Sequence, residues 1–152
     1  MIAIRSALAS DVPVLFQMLR ASAADQGFPD ALAVTESDLL QDGFGPQPTF
    51  RAVIASLDGA PAGTALYFFN YSTWVSRNGL YLEDLYVDPN FRRRGIGRAL
   101  LDHLWTLARE QGCLRMQWVV HRDNHRAIRL YRSFGARSMD DWLLLTITAP
   151  AT

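Results

Sequence analysis

Tyr81-Leu82-Glu83-Asp84-Leu85-Tyr86-Val87-Asp88-Pro89-Asn90-Phe91-Arg92-Arg93-Arg94-Gly95-Ile96-Gly97-Arg98-Ala99-Leu100 is the stretch from which the rest of the chain is read. The apolar, β-prone run Tyr81–Val87 predicts a strand, and Asp88-Pro89-Asn90 predicts the turn that ends it. Ile96, Leu100, Leu101, Leu104 and Leu107 recur at helical spacing, so a helix begins beside the glycines. A strand, a Gly-rich turn and a helix N-terminus together favour an anion: the first helical N–H groups lack partners and the helix dipole is positive there. Gly95 and Gly97 allow close backbone approach, and Arg92, Arg93, Arg94 and Arg98 add cationic donors. A polyphosphorylated ligand is expected at this turn.

Two common phosphate binders are excluded. A P-loop places a lysine after its glycines, whereas all 15 basic residues here are arginine. The lack of lysine also removes Schiff-base chemistry. A dinucleotide fingerprint needs three glycines at another spacing and an acidic residue about 20 positions on. The formal net charge of +0 argues against a general nucleic-acid or membrane-surface binder. At 152 residues and 49% hydrophobic content, the chain has material for one domain, 1–152, with a full core. Its single cysteine, Cys113, follows Gly112 at the entry of an apolar run and reads as a small buried hydrophobe. The N-terminus lacks a signal-peptide layout and no apolar run spans a membrane, so a soluble cytoplasmic protein is expected.

In chain order, Ile2–Arg5 reads as a strand, and Ser10 or Asp11 caps a helix with Val12, Leu15, Phe16 and Leu19 on one face. Thr35 with Asp38 predicts an N-cap for a short helix through Leu40, stopped by Gly43 and Gly45. Phe50–Leu57 and Gly63–Tyr71 form a hairpin about Asp58-Gly59, and Leu80–Val87 is the next strand. The helix 96–111 stops at Gly112, Leu114–His121 is strand-like, and Asn124 opens a helix closed by Gly135. Trp142–Ile147 predicts a last strand. The order β-α-α-β-β-β-α-β-α-β predicts one α/β (α+β) fold, a mixed central sheet with helices on both faces.

With Arg92, Gly95 and Gly97 in place, the arginine turn resembles the Arg/Gln-x-x-Gly-x-Gly/Ala signature of the GNAT N-acetyltransferases. Asn124-x-x-Ala127-Ile128-x-Leu130-Tyr131-x-x-x-Gly135-Ala136 resembles the family's fourth-helix segment. Thr35–Gly45 and Tyr81–Leu85 are similar to segments of the spermidine/spermine (diamine) N-acetyltransferases, whose branch also contains thialysine N-acetyltransferases and is typically homodimeric. The resemblance implies acetyl-coenzyme A as co-substrate. Its pyrophosphate would lie on Arg92, Arg93, Arg94, Gly95, Ile96, Gly97 and Arg98. Its pantetheine arm would lie along the backbone of Leu85, Tyr86 and Val87 and beside Asn124. Glu83 matches the branch's base, acting through ordered water, and Tyr131 matches the acid that protonates the departing thiolate. A neutral phenol of pKa about 10 suits that task.

A cationic amine calls for carboxylates and aromatic faces, which points to Asp84 beside Glu83, and to Tyr71 and Trp74. Gln26 and Ser72 stand where the polyamine enzymes carry acidic residues. A monoamine or an amino-acid-like amine gains from that loss, while Asp25 and Asp30 are near enough in sequence to compensate. His121 and His125 form no dense ligand cluster, and no metal is expected. Two alternatives stay open: a coenzyme-A-binding module without turnover, and an acetyltransferase for a protein or peptide amine.

Overall fold

A computed structural model describes residues 1–150. Its helices and strands run in the order β1 (Ile2–Ser6), α1 (Val12–Asp25), α2 (Glu36–Phe44), β2 (Arg51–Leu57), β3 (Ala60–Ser72), β4 (Arg77–Val87), α3 (Ile96–Glu110), β5 (Met116–Gln117) and α4 (His125–Phe134). The strands form one sheet in sequence order. β1 to β4 are antiparallel neighbours, and β5 joins β4 in parallel. The mixed sheet expected from the sequence is therefore present.

Local chemistry sets the element ends. Asp58 and Gly59 both adopt positive φ, 51° and 85°, as a two-residue hairpin turn demands, so β3 starts at Ala60 rather than Gly63. The Thr35 hydroxyl accepts from Asp38 N at 3.1 Å while Asp38 Oδ2 accepts from Thr35 N at 2.8 Å, a closed capping box for α2. Gly43 does not stop that helix. It lies under the Phe50 ring, and the helix runs to Phe44 with Gly45 as C-cap. Asn124 Oδ1 accepts from Ala127 N at 3.2 Å and opens α4, which Gly135 closes at φ 102°.

The sheet buries both faces. Leu100, Leu101 and Leu104 of α3, with Leu130 and Phe134 of α4, pack on Val53, Leu80 and Leu82. On the other face Leu15 and Leu19 of α1 and Leu39 of α2 cover Ile54 and Leu66. Each fully buried leucine contributes about 1.5–3 kcal/mol by leaving water. Thr64, a fully buried polar residue of β3, donates from Oγ1 to Val53 O at 2.8 Å. Cys113 is 3% exposed, the buried hydrophobe expected of it.

Two expected strands differ from observation. Leu114–His121 pairs only at Met116–Gln117, because β4 offers a parallel partner at Leu80 and Tyr81 and then diverges. Trp142–Ile147 forms no strand: nothing among the described residues pairs with it, and Leu143, Leu144, Leu145 and Ile147 are 75% to 98% exposed. Alternating apolar residues make a strand only when a partner takes up the backbone hydrogen bonds.

A single irregularity interrupts the β3–β4 ladder. Leu66 pairs with Asp84 and Tyr67 with Leu82, leaving Glu83 as the extra residue of a β-bulge in β4. The bulge bends β4 where its pairing with β5 has stopped. From Leu82 to Val87 the edge of β4 on that side has no strand partner among the described residues.

Candidate active site

A cleft of about 350 Å³ opens at this divergence. Its floor is Glu83–Val87, one end is the turn and first residues of α3, one wall is the end of α1, and the other is Val119–Tyr131. Of the residues singled out from sequence, Gln26, Glu83, Asp84, Leu85, Tyr86, Val87, Arg92, Arg93, Gly95, Ile96, Gly97, Arg98, Asn124 and Tyr131 all line it. Residues from four elements thus converge, although 105 positions separate Gln26 from Tyr131.

Three expected residues lie elsewhere. Arg94 is exposed outside the lining. Tyr71 and Trp74 belong to the far end of the β3–β4 hairpin, where they are 60% and 84% exposed. Trp74 stands edge-on to Trp142 with ring centroids 5.6 Å apart, and Tyr71 Oη is 3.4 Å from Ser76 Oγ. Neither lines the cleft, because the 13-residue strand β3 carries them away from the bulge. Ser72 is buried, 6% exposed, and is likewise absent from the cleft lining.

The anion end is formed as the residue types demand. Gly95 adopts φ 83° as N-cap of α3, a left-handed conformation that costs other residues energy, and nothing crowds its α-carbon. The leading N–H groups of α3 point out of the helix without intrahelical acceptors. Arg92 is firmly held: Nε donates to Val87 O at 2.9 Å, and Nη2 donates to Asp25 Oδ2 at 2.9 Å. The free β4 edge leads from this end to the bulge, so a long ligand with amides along its arm and phosphates at its tail fits the cleft as built. Asn124, occupied by capping through Oδ1, keeps its amide N–H₂ for such an arm.

At the other end, burial pushes the Asp84 carboxyl up to about 6, with the Glu83 charge adding to the effect. Tyr131 is half-buried against Trp118, ring centroids 4.9 Å apart. Burial, and then the Asp84 charge, push its phenol up to about 12. The pair thus offers a carboxylate poised near neutrality beside a hydroxyl that keeps its proton.

Sequence reasoning did not assign Ser22, Val119, Val120, Arg126, Ala127 or Leu130 to the site. Arg126 had one readable signal, its place two residues after the helix-capping Asn124. Asp25, read as a spare carboxylate for an amine, is bonded to Arg92 and Arg126 instead. Among the described residues no group of three or more His, Cys, Asp or Glu is placed to hold a metal ion, and no helix is long and apolar enough to cross a membrane.

Known proteins agree with this architecture. Residues 16–136 match the acetyltransferase (GNAT) family. Thialysine N-epsilon-acetyltransferase of Sus scrofa is 35% identical over 146 residues, covering 91% of this chain and 85% of that protein. Spermidine/spermine N(1)-acetyltransferase-like protein 1 of Homo sapiens is 36% identical over 140 residues, 88% of this chain but 20% of that protein. In fold, the chain superposes on a predicted acetyltransferase with acetyl-CoA from Clostridium acetobutylicum with TM-score 0.78, 22% identity and 96% coverage of each chain. With the family matched across most of the sequence and relatives above 30% identity across its length, the chain belongs to the acetyltransferase (GNAT) family and is an acetyl-coenzyme-A-dependent N-acetyltransferase.

Proposed function

We propose that the cleft transfers acetyl directly to a primary amine of a small molecule that presents one ammonium at the reacting end, an amino-acid-like amine of the thialysine kind before a polyamine. The observation that carries this reading is the union, in one cleft, of a free β4 edge and anion end with Glu83, Asp84 and Tyr131. Asp25 has its charge taken up by two arginines, Gln26 is neutral, and Ser72 is buried away from the cleft, so none of these three positions offers a second ammonium a free carboxylate.

Acetyl-coenzyme A supplies an activated acetyl thioester. Arg92, Arg93, Arg98 and the N-terminal amides of α3 take its phosphates, and the backbone of Leu85–Val87 with Asn124 takes its arm. An aliphatic ammonium of pKa about 10 must lose a proton before nitrogen can attack. Asp84 holds the ammonium and Glu83, exposed at the bulge, accepts its proton through water. Tyr131 Oη keeps a proton at pH 7; it would hand that proton to the departing sulfur and regain through water the one the nitrogen sheds on forming the amide, so no tyrosinate remains. No cysteine lines the cleft, which suits direct transfer over a relay through an acetylated thiol.

The same reading makes the protein a homodimer. Trp142, Leu143, Leu144, Leu145 and Ile147 form an apolar run at 60% to 98% exposure, costly in water and suited to a second copy. Light scattering on the full chain and on one ending at Arg137 tests this, with a dimer expected for the first and a monomer for the second. A lone buried Cys113 suits a reducing, cytoplasmic setting.

Thiol release from acetyl-coenzyme A over thialysine, lysine, simple monoamines, putrescine, spermidine, spermine and short peptides tests the substrate. Turnover highest with the amino-acid-like amines is expected. Turnover confined to peptides, or coenzyme A binding with no turnover on any amine, contradicts the proposal.

A further inference from the structure

Asp25, the last residue of α1, bonds to arginines 67 and 101 positions away. Its Oδ2 accepts from Arg92 Nη2 at 2.9 Å and from Arg126 Nη2 at 2.6 Å, and its Oδ1 accepts from Arg92 Nη1 at 3.4 Å. The three side chains line the cleft from three elements: the end of α1, the Gly-rich turn and the first turn of α4. The Asp25 side chain is 27% exposed, so the cluster is partly withdrawn from water. A second contact joins the same two walls, with the Phe28 ring centroid 5.6 Å from that of His121. The end of α1 and the turn after it therefore reach α4 and the segment leading into it at two points.

A carboxylate in this place runs against the field around it. The N-terminus of α3 and the two arginines make this the positive end of the cleft, and a negative side chain weakens the attraction a polyphosphate would meet. Yet Asp25 makes the kind of arginine hydrogen bonds that phosphate oxygens make. It behaves as an anion already in the site.

We propose that Asp25 is an internal stand-in for the cofactor's phosphates: it occupies Arg92 and Arg126 in the free protein, and coenzyme A displaces it from Arg126. This rests on the proposed placement of the phosphates at this end of the cleft. Arg126, 56% exposed, is the mobile arm of the exchange. Arg92 stays in place because its Nε also holds Val87 O. One carboxylate charge gives way to a more highly charged phosphate group, so the exchange gains attraction.

The test is calorimetric titration of coenzyme A, and of acetyl-pantetheine, which has no phosphate. Both go into the unaltered protein, Asp25→Asn, Arg126→Gln and the double variant. Asp25→Asn is expected to tighten coenzyme A by roughly 3- to 10-fold and leave acetyl-pantetheine unchanged. In the Arg126→Gln background that gain should shrink by more than half. Asp25→Ser, measured alongside, guards against a folding fault peculiar to asparagine and should give the same gain. Weaker or unchanged coenzyme A binding in both Asp25 variants overturns the inference, as does equal tightening of both ligands. No coenzyme A binding by the unaltered protein overturns the proposed function, and the inference with it.

Discussion

The Asp84 carboxylate, beside the β4 bulge, raises the pKa of the Tyr131 phenol on α4, two residues that share a cleft wall and floor although 47 positions apart. Burial is the larger cause, and together they push the phenol up to about 12. A phenol so held stays protonated at neutral pH, and the same shift makes it a weaker acid, so its proton moves only as the sulfur takes on negative charge. Tyr131→Phe keeps the ring against Trp118 and deletes only the hydroxyl. Turnover should fall by about 100-fold or more while the dissociation constant of coenzyme A, measured by titration, stays within about twofold. Equal losses in both would make Tyr131 a packing residue.

Asp84 gives a signature in pH. Its carboxyl, raised to about 6, is neutral below that value and then grips an ammonium poorly. The amine kcat/KM should therefore drop as pH falls through about 6, and Asp84→Asn should erase that inflection and lower the plateau. Stability moves the opposite way. Ionising Asp84 costs the folded state more than the unfolded one above pH 3.8, and the full cost is present above about 6. Asp84→Asn should raise stability by about 1–3 kcal/mol at pH 7.5 and by almost nothing at pH 4, read from urea melts at the two values.

How far the sequence reaches is visible in these residues. Asp58-Gly59, the Thr35/Asp38 box, Asn124 and Gly135 act within a few positions, so their reading and their structure agree. That Tyr131 and Glu83 line the cleft was legible because each sits in a segment that resembles the family's. The bulge at Glu83 depends on how β3 and β4 come into register, which no local run of residues displays. The Asp25–Arg126 bond joins segments 101 positions apart and leaves no local trace. Trp142–Ile147 failed for the converse reason: its alternation is real, but a strand is a property of two segments.

Asp11 ties the end of β1 to the start of α1. Its carboxylate accepts from Arg5 Nη1 at 2.7 Å and from Leu8 N at 2.7 Å. Led by the Arg5 hydrogen bond, these hold its pKa down at about 2. The stabilisation is whole above pH 3.8 and is lost as pH falls through about 2. Asp11→Asn should cost about 1–2 kcal/mol at pH 7, discounted for the exposed Arg5, with the gap closing toward pH 2 in thermal melts.

Gly63 pins three elements. A methyl group on it would lie 2.6 Å from Tyr86 O of the neighbouring strand and 3.4 Å from Ile96 Cγ2 of α3. Neither the strand backbone nor the buried helix start can yield cheaply. Gly63→Ala should destabilise by about 2–4 kcal/mol in a denaturant melt. A neutral result would mean that β3 and β4 are not registered as described.

Transfer straight from cofactor to amine within one cleft is the central claim. Its most direct test is intact-mass measurement of the protein after incubation with acetyl-coenzyme A alone, followed by addition of the best amine. Protein of unchanged mass and no stoichiometric thiol burst are predicted beforehand, then thiol and acetylated amine appearing together once the amine is present. Protein heavier by one acetyl group, whose acetyl then passes to the amine, would contradict it.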